Sequence, residues 1–247
     1  MNGTFAQGIA ELKKQAGNPL NSGNPLFSFV DPFGTTGLPF AVIRELLGKG
    51  TSEVLINFDS DGAVRVLKAG ADAKHEDNLN ALFGNEDWNA ALSVTVDTAD
   101  ACRKAAALYL KCLRAVPNVE YGYSFEMRSK GGMIDYHLVF ASQHPLGLEK
   151  MKEAMKRIDQ TGEYSFCDSH VGQETLFRSD NPPVFAKKMA THFAGRNVAY
   201  KEAVVYALNE TPFTNPKGML KILEADGARV FSRIAGQHGL RTCPVFG

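Results

Sequence analysis

The sequence lacks long apolar runs and paired cysteines. No apolar stretch approaches the ~18 to 20 residues that a membrane-spanning helix needs, and the amino-terminal residues lack the basic-then-apolar layout of a secretory signal. No C-x-x-C pair occurs, so neither a disulfide framework nor a zinc ribbon is predicted from Cys102, Cys112, Cys167 and Cys243. We therefore expect a cytoplasmic protein that binds no structural metal and does not enter a membrane.

The chain as a whole has no net charge, but its carboxyl-terminal part does. The 27 basic and 27 acidic residues cancel, yet residues 182–247 contain nine basic and four acidic residues, a net charge of +5. Apolar residues make up 44% of the 247 positions, which is ordinary globular composition and excludes a disordered chain. The charge asymmetry and the stiff sequence Asn181-Pro182-Pro183 predict two domains, 1–180 and 181–247.

The first domain has an α/β pattern. The apolar run LFSFV predicts a buried strand, residues 38–47 have helical spacing, and EVLINF predicts a second strand. A strand, helix and strand within about 30 residues indicate parallel strands joined by a crossover helix. Residues 59–97 are a polar insertion with short helical patterns at 76–83 and 87–92. We then predict a helix from Thr98, with Thr98 as its cap, a hairpin turning at 129–132, and a helix over 146–158.

The second domain has the pattern of a winged helix-turn-helix. Helical spacing recurs at 184–192, 200–209 and 216–225, and two β-prone runs around Gly236 and Gly239 predict a wing. Four basic residues would contact the phosphates of a nucleic acid: Lys217 and Lys221 on the proposed recognition helix, with Arg229 and Arg233 in the wing. A solvated face on a protein-binding winged helix explains the same residues equally well, and both interpretations stay open.

The sequence FVDPFG, which ends the first predicted strand, is the candidate active site. Carboxyl ends of strands in open α/β sheets face the ligand crevice, so Asp31 would point polar atoms towards a ligand. The alternative is that Asp31 caps the next helix while Pro32 and Gly34 make a turn.

These pieces together resemble the family of three-Cys-motif partner proteins, which are similar to class I S-adenosylmethionine-dependent methyltransferases. The matching parts are FVDPFG followed by LPF-x-VIRELL, then EVLINF, the hairpin ending in YHLVFASQHPLGLEKMKEAM, and the basic tail. The resemblance implies the carboxyl-terminal half of a Rossmann-like sheet followed by a winged helix. It also implies S-adenosylmethionine as cofactor, DNA or RNA as a possible partner, and a protein with a three-cysteine motif as another.

The same resemblance assigns roles to individual residues. Asp31, Pro32, Phe33 and Gly34 would form the catalytic acceptor side, and Asn57 and Arg65, near the following strand, would bind substrate. In amino-methyltransferases an Asp-Pro-Pro-aromatic loop at this place accepts hydrogen bonds from an exocyclic amine and stacks on the base. Here Phe33 replaces the second proline.

The cofactor motif is missing from the sequence. The residues before Asp31 contain neither a G-x-G turn nor a strand leading into one. We therefore expect a truncated or split gene product, or a start codon placed too late, that is inactive alone and has an exposed apolar edge strand. The alternative function is a non-catalytic module that binds nucleic acid or protein through its winged helix.

Overall fold

The computed structural model describes residues 4–15, 25–48, 51–69, 73–92, 97–158, 165–167, 182–225, 231–234 and 237–241. Its contacts divide the chain into two units, one of residues 1–147 with 165–172 and one of residues 148–164 with 173–247. The contacts thus group residues 148–158 with the second unit, whereas the sequence pattern grouped them with the first. Within the described ranges, no helix has the length and apolarity needed to span a bilayer.

A mixed five-stranded sheet forms the centre of the first unit, which confirms the α/β class. Its strands are β1 (Leu26–Val30), β2 (Ser52–Phe58), β3 (Tyr121–Arg128), β4 (Ile134–Ser142) and β5 (Ser165–Cys167). They lie in the order β1-β2-β4-β3-β5. The β1–β2 and β3–β5 pairs are parallel, and β4 runs antiparallel to both β2 and β3.

The first unit also contains six α-helices within the described residues: α1 (Phe5–Lys14), α2 (Phe40–Leu47), α3 (Ser60–Lys68), α4 (Ala73–Phe83), α5 (Asp87–Leu92) and α6 (Thr98–Arg114). Helix α3 lies in the region that we predicted as a mixed insertion. The predicted cap of α6 was wrong by one residue, because the carboxylate of Asp97 accepts from the backbone N–H groups of Ala99 and Asp100. Thr98 is therefore the first residue of that helix rather than its cap.

Packing of one face of β2 against the helices forms the core. Val54, Ile56 and Phe58 alternate along the strand and are at most 1% exposed. The ring of Phe58 stacks on Tyr109 of α6, with centroids 4.5 Å apart and planes at 17°. The Tyr109 hydroxyl is buried and finds no hydrogen-bond partner among the described residues. Apolar and aromatic contacts, and not a hydrogen bond of its hydroxyl, therefore hold Tyr109 in this core.

The opposite face of the sheet is open at β1. Phe27 and Phe29 are 54% and 60% exposed, and β1 is the outermost strand on its side. Their neighbours across the parallel pairing are Glu53 and Leu55, which are only half-buried. The apolar edge expected from the sequence is thus present in the described part of the chain.

Helices and a small sheet make up the second unit. It contains residues 148–158 of α7 (Pro145–Ile158), followed by α8 (Pro182–His192), α9 (Tyr200–Glu210) and α10 (Pro216–Ala225). Strands β6 (Asn197–Ala199), β7 (Phe231–Ile234) and β8 (Gln237–Arg241) pair antiparallel in the order β6-β8-β7. A core that includes Met189, Phe193, Leu220 and Leu223 joins α8 to α10.

A buried lysine connects α7 to the end of α9. The side chain of Lys152 is fully buried, and its ammonium donates to the carbonyl oxygens of Leu208 and Thr211. A third, longer bond of 3.4 Å reaches the carbonyl of Phe213. These acceptors follow or terminate α9, where the helix leaves carbonyl groups without intrahelical partners and its dipole favours a cation.

Replacement of this lysine should destabilise the protein. Lys152→Met keeps the length of the side chain but leaves the carbonyls of Leu208 and Thr211 buried without a donor, so the free energy of unfolding should fall by about 3 kcal/mol. Urea unfolding followed by circular dichroism measures the change. The control Lys150→Met alters an exposed lysine of the same helix and should cost less than about 1 kcal/mol. Equal midpoints for the two variants would contradict the assigned role of Lys152.

Candidate functional site

Asp31 and Asn57 meet at the carboxyl ends of β1 and β2. The parallel register pairs Val30 with Ile56, so the residue after each lies beside the other. Asn57 Nδ2 donates to Asp31 Oδ1 over 2.8 Å. Asp31 is exposed and Asn57 is half-buried. Two of the residues predicted from the sequence therefore form one polar pair at the predicted edge of the sheet.

The loop after β1 leads away from this pair. Phe33 is fully exposed, and Gly34 has φ +69°, a conformation that favours glycine. A single 3-10 turn at Thr35–Gly37 follows, and Pro39 is the N-cap residue of α2. The alternative in which Asp31 caps the next helix is therefore wrong, because its carboxylate accepts from Asn57 instead.

Arg65 does not join the pair. It lies in α3, where its Nε is 3.1 Å from Asp61 Oδ2, and 72% of its side chain is exposed. No hydrogen bond links Arg65 to Asp31 or Asn57 in the described part of the chain. The ion pair with Asp61, one helical turn away, is of the kind that stabilises a helix surface.

The arrangement offers hydrogen-bond acceptors beside aromatic rings. After the Asn57–Asp31 bond is made, the second carboxylate oxygen of Asp31 and the amide oxygen of Asn57 remain as acceptors. The exposed rings of Phe29 and Phe33 come just before and just after the polar residue Asp31. Such a set suits a planar ligand that donates through an NH₂ group.

The described residues do not fit S-adenosylmethionine. A dinucleotide-type crevice uses a glycine-rich turn after one strand and a free acidic residue after the next. After β1 the chain has Asp31-Pro32-Phe33-Gly34, and a Cβ added to Gly34 would meet nothing within 4 Å, so the loop makes no tight cradle. The acidic residue after β2, Asp59, accepts from the backbone N–H of Gly62 as the cap of α3.

Two of the four basic residues predicted to bind nucleic acid lie on α10. Lys217 and Lys221 are exposed, four residues apart, and neither takes part in an ion pair in the described part of the chain. Arg233 lies in β7. Arg229 lies outside the described residues.

A buried histidine lies in the middle of the sheet, on β4. His137 is 3% exposed, and its Nδ1 is 2.8 Å from Ser60 Oγ. Burial lowers the pKa of His137 to about 4. Across the ladder lies Glu126, whose bonds to Arg103 and Arg128 outweigh the effect of burial and hold its pKa below the ordinary value. The sequence analysis missed this network, although a histidine within an apolar strand was a signal for it.

Among the described residues, no group of three or more His, Cys, Asp or Glu side chains is placed to hold a metal ion. The Sγ atoms of Cys102 and Cys112 are free and buried, and burial raises the pKa of both thiols. His137 and these cysteines are thus parts of the packed interior, and the polar pair of Asp31 and Asn57 remains the candidate site of the first unit.

The buried His137 predicts a loss of stability at acid pH. Its pKa is about 4 in the folded protein against an ordinary 6.5, so between these values the unfolded chain binds a proton that the folded chain does not. Stability should fall as the pH drops through that window. The loss should be about 2 kcal/mol between pH ~7.5 and ~4.5, compared with His137→Gln. Urea unfolding at both pH values measures it, and identical pH dependence in the two proteins would contradict the prediction.

Comparisons with known proteins add no relative from which a role for these residues follows. No family model, curated protein or solved structure matches this chain.

Proposed function

We propose that the first unit is the acceptor-binding part of a methyltransferase-like protein of the three-Cys-motif partner type. The observation that carries the proposal is the Asp31–Asn57 hydrogen bond at the carboxyl ends of two neighbouring parallel strands. Ligands of open α/β sheets bind at this edge. A cytoplasmic location and a partner with a three-cysteine motif belong to the same proposal and derive from the sequence alone.

The order of the strands supports the resemblance. The parallel strands β1 and β2 are joined through α2, as a crossover unit requires. The hairpin of β3 and β4 then completes the sheet, with β4 lying between β2 and β3. This hairpin is one of the parts that resemble the family, and its position beside β2 supports a Rossmann-like half-sheet.

The chemistry of the pair favours an exocyclic amine on a planar ring as acceptor. Two acceptor oxygens of Asp31 and Asn57 would receive the two N–H donors of such an amine, and Phe33 would stack on the ring. Holding the nitrogen in this way orients its lone pair. The proposal is limited to acceptor binding, because the described residues do not fit S-adenosylmethionine.

This proposal predicts selective binding of nucleosides that carry an amine. Adenosine and cytidine should bind the full chain, and uridine, which lacks the amine, should bind about tenfold more weakly. Asp31→Ala should weaken adenosine binding by about tenfold, because it removes a charged acceptor worth about 1.5 kcal/mol. Phe33→Ala should also weaken it, whereas Phe33→Tyr should retain it. Saturation-transfer NMR titrations measure these affinities.

Matched variants separate binding at the site from general effects. Asp135→Ala removes an exposed carboxylate from β4, and Met133→Ala removes an exposed apolar side chain from the hairpin, and both should bind adenosine as the wild type does. Equal binding of adenosine and uridine, or an Asp31→Ala variant with unchanged affinity, would refute the proposed acceptor site.

A second proposed function belongs to the second unit, in which a winged helix-turn-helix binds double-stranded nucleic acid. The chain order α8-β6-α9-α10-β7-β8, with the hairpin of β7 and β8 after the third helix and β6 paired with β8, agrees with such a domain. The specific observation is that Lys217 and Lys221 on α10 are exposed, have no ion-pair partner among the described residues, and are four residues apart and thus on one face. Lysines with no acidic partner are available to neutralise phosphates.

Salt dependence tests this second function. Each phosphate contact releases counterions, so Lys217→Ala/Lys221→Ala should reduce the slope of log affinity against log salt by about 2. Duplex DNA and duplex RNA are titrated with fluorescence anisotropy over a range of salt. Lys111→Ala/Lys130→Ala, which removes two exposed lysines from the first unit, serves as the control. No duplex binding at low salt would favour the protein-binding alternative instead.

A further inference from the structure

A basic cavity lies on the second unit between α8 and α9. It has a volume of about 580 Å³ and is lined by Val184, Lys187, Lys188, Thr191, His192 and Tyr206. The cavity is shallow and open to solvent, so a ligand there would keep part of its surface exposed. None of the residues predicted from the sequence to bind a ligand lies in this cavity.

Two lysines supply the charge of the cavity lining among the described residues. Lys187 and Lys188 are exposed, and neither is part of an ion pair in the described part of the chain. Lys188 also makes a cation–π contact, with its Nζ 5.0 Å from the centroid of the Phe185 ring. The two ammonium groups are thus available to an anionic ligand.

Aromatic rings form one wall of the cavity. His192 and Tyr206 stack with centroids 4.3 Å apart and planes at 24°. His192 is exposed and Tyr206 is half-buried. Phe193 packs edge-on against His192 at 4.7 Å and so supports the stack from the core. An exposed ring on a supported stack is a surface on which a further planar ring gains stacking energy.

Hydroxyl groups complete the lining. Thr191 Oγ1 donates to the carbonyl of Lys187 over 3.0 Å, which fixes the hydroxyl at the cavity and leaves its oxygen able to accept. Burial, with the nearby charge of Glu210, raises the pKa of Tyr206. The phenol therefore stays protonated at neutral pH and keeps a donor.

We infer that this cavity binds an unpaired nucleotide of a single-stranded nucleic acid, with the phosphate on Lys187 and Lys188 and the base on the His192–Tyr206 stack. The combination of cations and a planar wall separates this ligand from a simple anion, which needs no ring, and from an apolar ligand, which needs no lysines. A duplex hides its bases within its own stack, so it lacks the free planar face that the wall accommodates.

The test is binding of a fluorescein-labelled oligothymidylate of about 12 nucleotides to the full chain, measured by anisotropy at roughly 50 mM salt. Thymine has no exocyclic amine, so the assay is independent of the acceptor site proposed for Asp31. Lys187→Ala/Lys188→Ala and His192→Ala should each weaken binding by about tenfold. His192→Phe, which keeps an exposed ring, should stay within about twofold of the wild type.

A control variant and a competition measurement show where the oligonucleotide binds and which part of it is recognised. Lys111→Ala/Lys130→Ala removes the same charge from the first unit and should leave the affinity unchanged. Thymidine monophosphate should compete at higher concentration than the oligonucleotide, because it offers one nucleotide alone. Circular dichroism verifies that each variant is folded.

Four results would overturn the inference. These are no binding by the wild type, full binding by the folded His192→Ala variant, loss of binding in His192→Phe, or loss in Lys217→Ala/Lys221→Ala with none in the cavity variants. The second result would indicate a site for any polyanion, which heparin competition would identify. The fourth would assign single-strand binding to α10.

Discussion

The burial of one face of β2 under helices is the constraint on which the first unit depends. Strand β2 leads on to β3 through α3 to α6, just as β1 leads to β2 through α2, and both connections advance across the sheet in the same direction. Right-handed crossovers in one direction bring their helices to the same face. That face buries Phe58 against Tyr109, and the other face is left open at β1.

The position of the candidate site is a consequence of this one-sided covering. Side chains alternate along a strand, so Asn57 lies on the face opposite to that of Phe58. The parallel register brings Asp31 beside it, at the end where both strands stop. The side chains of Asp31 and Asn57 bond each other rather than a helix, and the pair is half-exposed next to Phe29 and Phe33.

The partners of the charged side chains differ between the two units. In the first unit Arg103 and Arg128 both bond the Glu126 carboxylate beside the neutral His137, and Arg65 pairs with Asp61. In the second unit Lys152 is buried with backbone carbonyls as its partners, whereas the exposed lysines of α8 and α10 have no acidic partners in the described chain. These lysines are the basis of both proposals made for the second unit.

Local sequence patterns were sufficient for most elements of the fold. The apolar runs LFSFV and EVLINF form β1 and β2, and the Gly131-Gly132 turn joins β3 and β4, because strand burial and turn chemistry act over a few residues. Helix α3 was not predicted because Asp and Gly, here Asp59 and Gly62, are typical loop residues. In the structure the Asp59 carboxylate caps this helix by accepting from the backbone N–H of Gly62. The cap of α6 was misplaced because Asp97 and Thr98 are both good cap residues.

The sequence by itself determined the α/β class, the candidate loop at Asp31 and the basic character of the tail, because these depend on short-range pattern and composition. Only the tertiary structure decided which residues meet. It pairs Asp31 with Asn57 rather than with the next helix, leaves Arg65 with Asp61, and buries Lys152 under carbonyls from residues far along the chain. Contacts of this kind depend on strand register and helix packing, and no local pattern encodes them.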